Sequence, residues 1–79
     1  MTLMEKLLEM GYPREEMYHH CSDLYVYFTP LAIRAINEWL KEEGLSREGL
    51  VSTFTDQVSG RLMFDVSFQY TPYWTDKEI

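Results

Sequence analysis

Leu50 to Tyr70 reads LVSTFTDQVSGRLMFDVSFQY. In its second half Leu62, Phe64, Val66, Phe68 and Tyr70 alternate with Arg61, Met63, Asp65, Ser67 and Gln69. Side chains of a strand point to opposite faces in turn, so this segment reads as a strand with one face buried. The first half reads as a second strand. Asp56-Gln57-Val58-Ser59-Gly60-Arg61 between them is a turn, with Gly60 supplying the positive φ of a bulge-type hairpin.

Working backwards, Thr29-Pro30 starts the main helix. Thr29 is a good N-cap and Pro30 a good first residue. Leu31 or Ala32, Ala35 or Ile36, Trp39 and Leu40 recur at helical spacing. Arg34, Asn37, Glu38, Lys41 and Glu42 take the opposite side, and Gly44 ends the helix. Asp23 to Phe28 is the first strand, with Leu24, Val26 and Phe28 on one face and Tyr25 and Tyr27 on the other. Thr2-Leu3-Met4-Glu5 is a capping box opening a short helix on Leu3 and Leu7. Gly11 and Pro13 close it. Pro13 to Met17 reads as one more helical turn, and His19 to Ser22 as a polar loop.

The expected element order is α-β-α-β-β in a single domain spanning residues 1–79, with residues 71–79 as a tail. The cleanest apolar face belongs in the middle of the sheet. The expected fold is therefore an α+β two-layer sandwich. Its three-stranded, antiparallel or mixed sheet has order 1-3-2, with both helices on one face. The other face carries Tyr25, Tyr27, Met63, Asp65, Ser67 and Gln69, open to water, a partner, the tail or a second copy.

Composition narrows the function classes. The chain has 79 residues, and 46% hydrophobic content is too rich for a disordered segment. The net charge of −6 opposes direct nucleic-acid binding and attachment to an anionic membrane. A single cysteine, Cys21, makes no internal disulfide. Neither an export signal nor a membrane-spanning run is visible, so a cytoplasmic location is the expectation.

No motif carries catalysis. His19, His20, Cys21 and Asp23 have ligand chemistry but lack the second, sequence-distant pair of a zinc site. A polar loop with Cys21 as a small apolar side chain is the simpler reading. His20, one residue from Cys21, is badly placed as a base for a thiol nucleophile. No metal, cofactor or enzymatic activity is expected.

Glu5 with Glu9 and Glu38 with Glu42 lie four apart on helices, about 5–6 Å between Cβ atoms. With Glu15, Glu16, Glu43 and Glu48 they suggest an acidic surface that imitates nucleic acid. A solvated helix face is the plainer alternative. Six tyrosines and two tryptophans favour recognition, since both types are enriched at interface hot spots. Tyr73 and Trp74 either join that surface or fold back over the sheet.

MEKLLEMGYPREEMYHH (4–20), DLYVYFTPL (23–31) and FTDQVSGRLMFDVSFQY (54–70) resemble small proteins carried by phages and mobile elements of gut Firmicutes. The resemblance brings no catalytic motif. It implies a protein that binds and blocks a host protein, including CRISPR-Cas effectors and other nucleic-acid enzymes. The expected function is thus a small acidic protein-binding module, an anti-CRISPR or anti-defence type of inhibitor. Its contact residues are expected to be Tyr25, Tyr27, Glu38, Glu42, Glu43, Asp65, Gln69, Tyr73 and Trp74, facing a basic surface on a host protein. The alternative is a structural protein that self-associates as a homodimer or larger oligomer through an exposed strand edge.

Overall fold

The computed structural model describes residues 1–20 and 23–67. Helix α1 spans Leu3–Glu9, and a 3-10 turn follows at Arg14–Glu16. Strands β1 (Met17–His20) and β2 (Asp23–Tyr27) precede helix α2 (Pro30–Glu43), and β3 (Val51–Thr55) and β4 (Leu62–Val66) complete the chain of elements. The class is α+β.

Local chemistry places the helix ends. The Thr2 hydroxyl accepts from the Glu5 N–H at 3.1 Å, and the Glu5 carboxylate accepts from the Thr2 N–H at 2.8 Å. Thr29 caps α2 by accepting from the Ala32 N–H at 3.2 Å. Gly44 ends α2 with φ +67, a left-handed conformation that side-chain-bearing residues resist. Leu45 then donates back to the Leu40 carbonyl at 2.9 Å.

The sheet overturns one expectation. Among the described residues it has four strands in the order β1-β2-β4-β3, not three in the order 1-3-2, and of the two expected alternatives, antiparallel or mixed, it is antiparallel in every pairing. The element that was missed is β1. The helical turn expected over Pro13 to Met17 extends only over Arg14–Glu16, and His19 and His20, expected in a polar loop, belong with Met17 and Tyr18 to this strand. Those four residues then pair with β2, Met17 opposite Val26 and Tyr18 opposite Tyr25. The gain is the backbone hydrogen bonding of β2's otherwise bare edge, which outweighs a weak local strand signal. β2 and β3 both run antiparallel to β4 and so parallel to each other. Helix α2 connects them while β4 fills the gap.

The core lies between the helices and one sheet face. Leu3 and Leu7 of α1 and Ala32, Ala35, Ile36 and Trp39 of α2 meet Leu24, Val26, Phe64 and Val66, all at most 2% exposed. Burying each large apolar side chain contributes about 1.5–3 kcal/mol. Leu62, expected on this face, is exposed. Phe28 also stays exposed, stacked on Phe64 with centroids 4.7 Å apart. Tyr12 ties the two layers together. Its buried hydroxyl donates to the Glu16 carbonyl and accepts from the Tyr27 N–H, each at 2.9 Å, which closes the end of β2. Among the described residues, no helix is long and apolar enough to cross a membrane.

Candidate functional site

Register decides which side chains share the face away from the helices. Tyr18 lies opposite Tyr25, Tyr25 opposite Asp65, Tyr27 opposite Met63, Ser52 opposite Asp65 and Phe54 opposite Met63. Tyr25, Tyr27 and Asp65 therefore come together as the alternation predicts. Tyr18 and Phe54 join them, although the sequence reading placed neither there. Tyr18 was hidden by the missed strand. Phe54 was legible, because in Val51-Ser52-Thr53-Phe54-Thr55 it falls on the face opposite Val51.

The aromatic rings pack edge to face. Tyr18 and Tyr27 have centroids 5.9 Å apart and planes at 88°, and Tyr25 and Phe54 are 5.4 Å apart at 79°. Between the pairs runs an open groove of about 540 Å³, floored by Met63 and rimmed by Asp56, Val58 and Ser59 of the β3–β4 turn. Met63, on the sheet face expected to be open, is only 5% exposed because these rings cover it. A guanidinium already lies on this surface: Arg61 Cζ sits 3.6 Å from the Tyr27 ring centre.

The turn forming the rim is built by its own polar groups. Asp56 Oδ2 accepts from the Ser59 hydroxyl at 2.6 Å and the Ser59 N–H at 3.1 Å. These bonds, the hydroxyl's first, hold the Asp56 carboxyl below the usual range, so the rim stays negatively charged. Gly60, at φ +74, donates to the Asp56 carbonyl at 2.8 Å. The turn lifts Val58 clear of the sheet, 96% exposed.

Asp65 has the most perturbed carboxyl among the described residues, pushed up to about 7. Burial is the largest cause, and the nearby Asp23 carboxyl adds to it by hydrogen bonding and by charge repulsion. Asp65 Oδ1 is buried without a hydrogen-bond partner among the described residues. Near neutrality the Asp65 carboxyl is thus still partly protonated.

Three of the glutamates expected in an acidic patch, Glu38, Glu42 and Glu43, are engaged within the chain. Lys6 of α1, only 7% exposed, reaches Glu42 at 2.7 Å and Glu38 at 3.2 Å, and the Met1 amino group lies 3.3 Å from Glu43. Glu42 above all, and Glu38, hold the Lys6 ammonium above its ordinary value. The pairs sit where α1 packs on α2, which the i,i+4 spacing of the glutamates does not reveal. Gln69, Tyr73, Trp74 and Cys21 lie outside the described residues, as does the continuation of the last strand to Tyr70. Among the described residues no group of three or more His, Cys, Asp or Glu is placed to hold a metal ion. Comparison with family models, with curated proteins and with solved structures finds no match to this chain.

Proposed function

We propose that the protein is a small acidic binding module that contacts a protein partner through the open face of its sheet. The observation that carries this reading is the groove. Among the described residues, the tyrosines and the phenylalanine on this face have no packing duty toward the helices, and such rings supply interface affinity. With a net charge of −6, the complementary partner surface is basic. Basic surfaces are typical of proteins that handle nucleic acid, so inhibition of a host enzyme of that class in the cytoplasm, by covering its groove, is the functional form proposed. Mimicry of nucleic acid by α2 draws less support. Lys6 lies between Glu38 and Glu42 and offsets their charge.

The test is affinity capture from host lysate at low and high salt, using the wild-type chain and two variants. Recovery of one basic protein, lost with Phe54→Ala and retained with Glu38→Gln, supports a sheet-face module. Retention with Phe54→Ala and loss with Glu38→Gln moves the contact to α2. A second reading, self-association, rests on β3. Among the described residues it is an edge strand, five residues long without a charge or a proline, the kind of edge that invites pairing with another copy. Sedimentation across a hundredfold concentration range separates the two. A monomer throughout removes the second reading.

A further inference from the structure

The groove's chemistry specifies more than "a partner". We propose that it receives an arginine side chain from the partner protein, stacked among Tyr25, Tyr27 and Phe54 above Met63 and drawn in by the Asp56 rim. This deepens the sheet-face reading and rests on it.

Three observations converge. The groove volume of about 540 Å³ lies within the usual range of ligand pockets, roughly 300–1,000 Å³, so it admits a long side chain with backbone on either side. Its walls are aromatic rings with a carboxylate at the rim. That is the chemistry of cation recognition: ring quadrupoles attract a positive charge, and the carboxylate fixes it. Finally, one of these rings, Tyr27, already carries a guanidinium in the native chain, with Arg61 Cζ 3.6 Å from its centre. A planar, weakly hydrated guanidinium can stack on a ring while its N–H groups pair with a carboxylate. An ammonium is a compact, strongly hydrated charge and does so less well. An apolar side chain would fill the groove but leave the charged rim without a counterpart, so charge complementarity selects arginine.

Met63 makes the test direct. It is the one methionine on the groove floor, while Met4 and Met17 lie on the helix side of the sheet. The full chain, labelled at its methionine methyls and its backbone amides, is titrated with a blocked Gly/Ser peptide carrying three arginines. Matched peptides replace each arginine by lysine or by citrulline, which is planar and uncharged. The expected result is saturable movement of the Met63 methyl signal with the arginine peptide, with Met4 and Met17 unmoved. Affinity should fall at least tenfold with citrulline and severalfold with lysine. Phe54→Leu, on an exposed edge strand, should weaken binding severalfold while the amide spectrum stays native.

Equal binding of citrulline overturns the proposal, because charge is then not read. Equal binding of lysine overturns its choice of arginine. Arginine-dependent shifts confined to Glu38 and Glu42, with Met63 still, also overturn it but leave a basic-partner module standing on α2. The absence of any shift at millimolar peptide overturns it too, while the capture experiment with Phe54→Ala decides the broader reading independently.

Discussion

Replacing Asp65 by Asn should stabilise the protein, and the gain should depend on pH in a defined direction. In the folded chain the Asp65 carboxyl titrates near 7, well above its ordinary range. Between about pH 4 and 7 the folded state therefore holds a proton that the unfolded chain has released. Stability is fullest below the unfolded value and is lost as pH rises toward 7. The whole rise corresponds to about 4 kcal/mol. Asp65 sits on a sheet face partly open to water, where screening reduces this to about 1–2 kcal/mol. Asparagine keeps the shape, carries no charge and can donate to Asp23 as the protonated acid does. The variant should exceed the wild type by about 1–2 kcal/mol at pH 8, or roughly 5–10 °C in Tm for a domain of this size. The difference should shrink by pH 5 and vanish near pH 4. Thermal unfolding followed by circular dichroism at unit pH steps from 4 to 8 measures it. A difference that stays flat with pH, or a variant less stable at pH 8, refutes the account of a proton held on Asp65.

Gly44→Ala should cost about 1 kcal/mol, read as a lower urea midpoint at unchanged slope, because the left-handed turn at φ +67 opposes any Cβ. Tyr12→Phe removes a hydroxyl that serves two backbone groups, the Tyr27 N–H and the Glu16 carbonyl. It should cost about 1–3 kcal/mol and speed amide exchange at Tyr27 specifically. Thr29→Ala should cost about 1 kcal/mol by leaving the Ala32 N–H uncapped, and a Thr29→Asp variant should restore it. Lys6→Ala should lower Tm more than Lys6→Met, which keeps the buried stem while giving up the bridges to Glu38 and Glu42. Differential scanning calorimetry at low and high salt separates packing from charge.

The helices were legible because their signals are local. The Thr2–Glu5 box, Thr29-Pro30 and Gly44 act within a turn of chain, and each does in the structure what its residue type favours. The strands with clean alternation, β2 and β4, were legible for the same reason. β1 was not. Met-Tyr-His-His has little pattern of its own, and pairing with β2 creates the strand. That single omission changed the strand count and order, and it hid Tyr18 from the candidate site. The acidic residues failed differently. Glu38 and Glu42 were correctly placed on one side of α2, but their counter-charge comes from Lys6, more than thirty residues away, which only packing brings near.

The position of β4 has a consequence for the life of the chain during synthesis. This strand, late in sequence, occupies the interior of the sheet between β2 and β3. A nascent chain can form α1, the β1–β2 pair and α2 early, since these contacts are local. The inner edges of β2 and β3 stay unpaired until residues 62–66 emerge. Closure is thus reserved for the last described strand and joins segments about forty residues apart, a non-local step that slows folding. Until then the unfinished sheet offers sticky edges to any neighbouring strand. Slowing translation through residues 56–66 should lengthen that window, with more aggregation of the nascent protein but no change in the stability of the finished one.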